Sequence, residues 1–534
     1  MAYVRDEAWS LYPHHVSLIL GRLRARDLEW VSNVQDELAF AYLNAHSNRV
    51  LLQIQAFFKK NESFSCNERC SAQAVENFLI AEEQCKSTNE RLTQFFMDEP
   101  IMHAGHADYE RLAQVKRMRN TLKKLFGSYE SFMAGVKALP KISSGASSTR
   151  PRRKSQSYRK ISKRLPCTGS AEPFVMALQK LVGIDASLWP VTKVNANKLA
   201  FVLKNFKTHR VIGAEPEGNL LAQLLVNDHM LTRLMKVGIN LHDQSRNKRL
   251  ACEGSLTGEL ATVDLKMASD TTALDLPAFL LDSDWSGALL AMRSRFFSGA
   301  LGDGEYQKFS SMGNGFTFPL ETAIFYAAAE AVGSRTLCVY GDDIVIESWL
   351  YDDLIDLLSF LGYIPNLEKS FHEGPFRESC GGDYWLGEDI RSFYCKKHGE
   401  LGKSELCHIV NGLVRISTPE GLLWSYLRKV VRANHLPLVP WSEDTRDGVH
   451  LHLHQAYARK KLYLCRDRKG PYGCLVYKGY SAKASTRVRA NIQTYYLWIL
   501  EKARMREIVS TEIVTTPAPG VPLIREVGTR IGRQ

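Results

Sequence analysis

The sequence predicts an α+β protein, and three observations carry that expectation. Residues 1 to about 140 place apolar side chains at helical spacing, as in "LEWVSNVQDELAFAYLNAH" and "YERLAQVKRMRNTLKKLFGSYESFMAGVKAL". From about 170 to 400, short β-branched runs alternate with helical ones. Within that region, "TLCVYGDDIVIES" has strand-like runs on both sides of Gly341, the pattern of an antiparallel β-hairpin with Gly-Asp-Asp in its tight turn. With 534 residues the chain exceeds the usual size of one hydrophobic core, so several subdomains are expected.

Hydrophobic residues at 45% and charged residues at 24% match an ordinary globular composition and exclude a disordered majority. The net charge of +12 points to a polyanionic partner if the charge is clustered. It is clustered between Lys141 and Pro166, where "KISSGASSTRPRRKSQSYRKISKRLP" holds nine Lys or Arg and no acid. Two readings stand for this run, a phosphate-contacting loop and a solvated linker, with nuclear targeting as a third. Beyond Ser392 the pattern is helical in "SELCHIVNGLVRIS" and "PEGLLWSYLRKVVRANH". After about 460 it becomes irregular and basic, and the Pro- and Gly-rich tail is expected to have little regular structure.

The start of the chain has no charged segment followed by an apolar stretch, and no uncharged apolar run reaches about 18 residues, so neither secretion nor membrane insertion is expected. The eleven cysteines show no repeated CxxC spacing, and Cys66 and Cys70 have no matching second pair for zinc. Reduced thiols in a cytosolic compartment are the simplest account. His450, His452 and His454 alternate onto one face of a strand, as in a zinc site, but no nearby Cys or acid cluster completes a ligand set.

Asp342 and Asp343 interrupt an otherwise apolar run. Adjacent, partly desolvated anions cost several kcal/mol unless a cation or hydrogen-bond donors compensate them. A divalent metal is the obvious compensation. Asp352 and Asp353 differ, because Leu350, Leu354, Leu357 and Leu358 follow helical spacing and leave that pair on the wet face. Magnesium needs oxygen ligands from more than one segment. In "LATVDLKMASDTT", Val263, Leu265 and Met267 fall on one strand face and Asp264 on the other, which makes Asp264 the third candidate; the bland reading is an edge aspartate. "SSMGNGFTFPLETAIFYAAAEAV" reads as a Gly-rich loop leading into a helix with Pro319 in its first turn. Lys204, Lys207 and Arg210 suit a triphosphate or form a basic surface strand.

In chain order, "SSGAS", "LKNFKTHRVIGAEP", "VGINLHDQSRNKRLACEGS", "LATVDLKMASD", "SSMGNGFTFPLE", "VYGDDI" and "GYIPNLEKSFHEGPFRESCG" resemble segments of RNA-dependent RNA polymerases, most closely the replicase subunit of leviviral single-stranded RNA bacteriophages. The resemblance covers about residues 144 to 395. It implies a right-hand polymerase with an antiparallel-sheet palm and mainly helical fingers and thumb: a helical N-terminal region over 1–140, fingers with the basic loop over 141–260, a palm with a finger insertion over 261–395, and a thumb and C-terminal region over 396–534.

By the same resemblance, Asp264, Asp342 and Asp343 hold two magnesium ions and catalyse nucleotidyl transfer. Lys204, Lys207 and Arg210 hold the incoming nucleotide, and Asp270, Ser311 and Asn314 sense its ribose hydroxyl. Lys369 is a candidate general acid toward pyrophosphate, or a surface lysine. Asp270 has a rival reading as the cap of a helix in "TTALDLPAFLL". The implied substrates are a single-stranded RNA template and ribonucleoside triphosphates, used without a primer. The implied partners are the host elongation factors Tu and Ts and ribosomal protein S1, in the bacterial cytoplasm and without a membrane.

One departure concerns Lys266 and Met267, where the family carries small residues just after the first aspartate. Either the strand ends there and the ammonium turns away, or the lysine lies beside a metal ligand. Two rival functions remain. A reverse transcriptase usually carries Tyr-x-Asp-Asp in the hairpin; here the second position is Gly341, and no ribonuclease H segment is evident. A non-catalytic RNA-binding protein would explain the charge and leave Asp342 and Asp343 without a purpose.

Overall fold

The structure is a computed structural model that describes residues 53, 56, 67–103, 105–140, 145–151, 160, 164–185, 187, 189–205, 208–394, 402–416, 422–440, 445–451, 462–466, 473–480 and 524–529. Cys66, Arg152, Arg153, Lys154, Lys207, His452, His454 and the helical pattern at 28–46 lie outside the described residues. The chain forms two units, Ser65–Arg391 and a second made of Met1–Phe64 with Ser392–Gln534.

The larger unit begins with helix α1 (Asn67–Asp98), whose buried residues Ala74, Phe78, Ala81, Cys85, Thr88, Leu92 and Phe95 recur at three- and four-residue steps. Helix α2 (Tyr109–Phe126) buries Leu112, Val115, Met118, Leu122 and Leu125 in the same way. Strands β1 (Ala196–Leu203) and β2 (His209–Ala214) pair antiparallel, from Lys198 opposite Ala214 to Leu203 opposite His209. Helices α3 (Glu217–Lys236) and α4 (Ser245–Thr257) follow, then β3 (Leu260–Val263) and β4 (Phe296–Gly299). Strand β4 lies parallel to β1, giving a four-stranded mixed sheet that Gly304–Glu305 completes. Strands thus occupy part of the 141–260 span, where mainly helix is expected, because β-branched and aromatic residues in "KLAFVL" and "HRVIGA" favour a pleated surface.

The core is organised around helix α5 (Thr317–Ala331), in which 13 of 15 residues are buried, so the helix runs through the interior rather than along a face. Its alanines let α2 and α3 approach on one side and the hairpin on another. That hairpin joins β5 (Cys338–Tyr340) to β6 (Asp343–Glu347) through Gly341 and Asp342. The sheet order is β3-β6-β5, antiparallel throughout, with Ile344 opposite Val263 and Asp343 opposite Tyr340. Helix α6 (Tyr351–Phe360) follows, burying Leu354, Leu357 and Leu358 and exposing Asp352 and Asp353 as its spacing predicts.

In the smaller unit, helices Lys403–Ile416 and Leu422–Ala433 contribute Cys407, Val410, Leu413 and Leu427 to a second core. Strand Val449–Leu451 lies parallel to Leu438–Pro440, and the His450 N–H donates to Asn411 Oδ1. Strands Leu462–Arg466, Gly473–Tyr480 and Ile524–Thr529 form an antiparallel sheet. This corrects the expectation of irregular structure after 460. The pairing partners of Ile524–Thr529 lie 44 to 54 residues upstream in Gly473–Tyr480, a long-range ladder that local composition does not reveal. Among the described residues, no helix is long and apolar enough to cross a membrane.

Candidate active site

The hairpin turn is built from a glycine that nothing else replaces. Gly341 has φ 59°, and a Cβ there would stand 2.3 Å from the Phe318 ring. Its N–H donates to Thr322 Oγ1 on α5 at 3.1 Å, which ties the turn to the buried helix. Asn247 on α4 supports it from behind, donating from Nδ2 to the Asp343 carbonyl and accepting from Cys338 Sγ. The turn is two residues long, Gly341 and Asp342, and Asp343 already belongs to the strand.

Asp264 sits where β3 ends. The register that pairs Ile344 with Val263 brings Asp343 and Asp264 to the same end of the sheet. The strand resumes for Leu265 and Lys266 and stops at Met267, whose φ of 55° is left-handed. Met267 therefore leaves the face it was expected to share with Val263 and Leu265; the strand ends at Lys266, which is exposed and lines the same cavity as Asp264. The lysine that does approach Asp264 is Lys369, with Nζ 3.8 Å from Oδ2. Asn366 Nδ2 donates to the same oxygen at 2.6 Å, and Ser370 Oγ lies against the Asp264 backbone.

Lys204, Arg210, Asp264, Asp270, Asp342 and Lys369 line one cavity of about 550 Å³. Acids and bases drawn from four segments of the chain thus meet at one place. Burial, then the charge of Asp264, raises the pKa of Asp342. Partial desolvation in the cavity, then Arg210 and Lys369, pulls Lys204 down, although its side chain still reaches solvent. Arg210 and Lys204 offset only part of the rise at Asp342, and a bound cation would offset more.

Asp343 is arranged differently. It is not on the cavity wall; its Oδ1 accepts from the Cys380 N–H at 2.8 Å and from Ser379 Oγ at 3.3 Å. Burial lifts its pKa to about 6 despite the Cys380 bond. Glu378 nearby is lifted to about 7, by burial and then by Asp383 and Asp343. Among the described residues, no three His, Cys, Asp or Glu side chains are grouped to hold a metal ion by themselves. Asp264 and Asp342 on a shared wall fit magnesium nonetheless, because that ion is commonly held by one or two carboxylates plus waters and substrate phosphates rather than by an all-protein cage.

Of the expected ribose-sensing residues, Asp270 is on the cavity wall, and Ser311 and Asn314 are buried behind it. Asn314 Oδ1 accepts from the Phe316 N–H at the start of α5, and Ser311 packs so closely on β2 that a Cβ on Gly213 would meet its Oγ at 2.2 Å. Asp270 caps no helix. It ends a short turn of helix at Ala268–Asp270, and its Oδ1 accepts from Lys308 Nζ at 2.9 Å. Lys207 and three basic-loop residues, Arg152, Arg153 and Lys154, are not described; the root of that loop is held by Glu217, whose Oε1 accepts from Ser147 and Thr149 and pairs with Arg150.

Sequence reasoning missed Asn366, Ser370, Glu321 and the Cys380 N–H. Asn366 and Ser370 bracket Lys369 in "NLEKS", and that bracketing was a usable signal. Glu321 is buried on the cavity wall, bonded to Ser269 Oγ at 2.7 Å and lifted to about 8 by burial. A backbone N–H leaves no trace in a sequence.

A model of the family described as RNA replicase, beta-chain, matches residues 13–442, and the chain belongs to that family. It is 37% identical over 381 residues to the RNA-directed RNA polymerase subunit beta of Qbeta virus (strain MX1), covering 68% of this chain and 62% of that protein. It is 35% identical over 398 residues to the corresponding subunit of Escherichia virus Qbeta, covering 71% and 64%. The chain thus spans somewhat less than two thirds of the length of these relatives. The RNA-dependent RNA polymerase of a human picobirnavirus, a solved structure, aligns with 44% of this chain and 55% of its own at 15% identity and a TM-score of 0.32.

Proposed function

We propose that the chain is an RNA-directed RNA polymerase that copies a single-stranded RNA phage genome from ribonucleoside triphosphates, starting without a primer. The observation that carries the reading is the shared cavity wall, on which Asp264 and Asp342 face Lys204 and Arg210. Lys204 and Arg210 supply the charge that a triphosphate needs, and Arg210 can bind it through two N–H groups at once. Asp264 and Asp342 hold magnesium, which when bound polarises the α-phosphate and lowers the pKa of the attacking 3′-hydroxyl. Asp343, set back from the cavity wall with Oδ1 held by Cys380 and Ser379, supports the turn from the strand and would be the third acid beside the metal ions.

The attacking hydroxyl displaces pyrophosphate in line, and positioning supplies much of the acceleration. Lys369, whose Nζ lies 3.8 Å from Asp264 Oδ2, gives a proton to the departing pyrophosphate. Asp270 accepts from the ribose 2′-hydroxyl, while Ser311 and Asn314 shape the loop behind it. The palm is assigned to 261–395, the fingers to 141–260 and the thumb to 396–534. Host factors Tu, Ts and S1 complete the enzyme in the bacterial cytoplasm.

The test is template-directed incorporation of labelled ribonucleotides by the full chain, purified with the host proteins that accompany it. The proposal requires that product depend on both RNA template and magnesium. RNA binding without incorporation under those conditions would return the chain to the non-catalytic class.

A further inference from the structure

Lys308 has no place in the proposed chemistry, yet it is the most completely enclosed charge at the site. Its side chain is 0% exposed. Its Nζ lies 2.9 Å from Asp270 Oδ1, 3.5 Å from Glu82 Oε1 and 4.2 Å from the centre of the Phe78 ring. Burial alone would push its pKa down, but Asp270 and Glu82 together push it up, so the ammonium is charged.

The surrounding contacts show why the lysine stays where it is. One face of α1 carries Phe78, Glu82, Cys85 and Asn89 at steps of four, three and four. Glu82 Oε2 accepts from the Gln307 N–H at 2.6 Å, Cys85 Sγ donates to the Asp270 carbonyl at 3.4 Å, and Asn89 bonds both the Gln307 carbonyl and the Asp275 N–H. Lys308 itself bridges in antiparallel fashion to Ala273. The segment carrying Asp270 and the segment carrying Lys308 are thus clamped to each other and to α1. A solvated aspartate on a cavity wall samples several rotamers; one bonded to a buried, charged lysine has a single favoured position.

We propose that Lys308 is a positioning residue for sugar choice: it fixes Asp270 at the cavity wall, and α1, through Glu82, fixes Lys308. The inference rests on the reading of Asp270 as the ribose acceptor. Glu82 and Asp270 compete for one ammonium, so α1 sets how firmly Asp270 is held. Lys308 touches no substrate in this account and acts through Asp270.

The experiment compares binding of ATP and 2′-deoxy-ATP to the full chain with magnesium present, read as the ratio of the two Kd values, with melting temperature recorded for every variant. Lys308→Met combined with Glu82→Gln avoids leaving an unpaired acid on α1. The ratio is expected to fall about tenfold, the worth of one charge-assisted hydrogen bond, and adding Asp270→Ala is expected to change it by less than about twofold, because the two act as one unit. If the first variant does not fold, Lys308→Gln with Glu82→Gln keeps most of the volume but removes the charge that holds Asp270, so the ratio is expected to fall in the same direction by less. A ratio unchanged by the Lys308 variants while Asp270→Ala lowers it would overturn this inference alone. A ratio unchanged by Asp270→Ala would overturn the ribose role beneath it. Equal weakening of both nucleotides would make Lys308 a purely structural residue and also overturn the inference.

Discussion

Asn366 Nδ2 donates to Asp264 Oδ2 at 2.6 Å while the Asn366 N–H donates to the Asp264 carbonyl at 2.9 Å, so one residue fixes both the side chain and the backbone of the aspartate. Lys369, three residues on, approaches the same oxygen. The orientation of Asp264 is therefore set by the hairpin-following segment rather than by its own strand.

Removing that support is the first prediction. Partners that orient a metal-binding carboxylate typically contribute 10- to 100-fold to metal affinity or activity. Asn366→Ala is expected to lower incorporation by roughly that range and to raise the magnesium concentration needed for half-maximal rate. A magnesium titration checks it, and an unchanged midpoint would mean that Asn366 only packs.

Glu321 yields a pH prediction. Its folded pKa of about 8 lies above the ordinary 4.5, so the folded chain binds more protons than the unfolded one between those values. Its contribution is neutral below about pH 4.5, and stability falls as pH rises from there, levelling off above about 8. At about 1.4 kcal/mol per unit the loss is of order 3 to 5 kcal/mol. Glu321→Gln is expected to match the parent near pH 5 and to be the more stable chain near pH 9, by urea unfolding in the presence of a chelator. Equal stabilities at both ends would contradict a buried neutral carboxyl.

Arg377 is fully buried, and its guanidinium donates to the carbonyls of Leu260, His372, Glu373, Gly374 and Phe376. It thereby holds the strand Phe376–Ser379, whose end presents the Cys380 N–H to Asp343. Arg377→Met orphans those carbonyls and is expected to destabilise by about 3 to 5 kcal/mol. Arg377→Lys is expected to recover only part of that loss, since one ammonium has three donors and no planar fork. Thermal melts of both variants check the order.

Gly341→Ala is expected to be nearly inactive. The left-handed conformation costs a non-glycine residue about 1 to 2 kcal/mol, and the added Cβ meets the Phe318 ring. Combining it with Phe318→Ala relieves the contact but not the backbone strain, so partial recovery of incorporation is expected. Full recovery would show that the ring alone was at issue.

Much of this site was legible because its signals are local. The hairpin followed from two strand-like runs around a glycine, and the exposure of Asp352 and Asp353 from the spacing of four leucines. Alternation placed Asp264 off the buried face, but it could not foresee the left-handed Met267, since nothing in "LKMAS" marks that turn. Asp270 was open between a cap and a site residue because its decisive partner, Lys308, lies 38 residues away in the chain. Glu321 was invisible for a related reason: helical periodicity shows which side of a helix is apolar, and α5 is buried on every side. The late sheet was missed because strand Ile524–Thr529 is defined by its partner rather than by its own composition.

The central claim is that Asp342 belongs to a magnesium site that performs nucleotidyl transfer. Asp342→Asn keeps the shape of the turn and removes one negative charge from the cavity wall. In a primer-independent incorporation assay, this variant is expected to lose nucleotide addition by at least about a thousandfold while binding RNA as the parent does, since binding rests on Lys and Arg. The matched control Asp352→Asn, on the exposed face of α6, is expected to work at the parental rate. Near-parental incorporation by Asp342→Asn, with magnesium still required, would contradict the account.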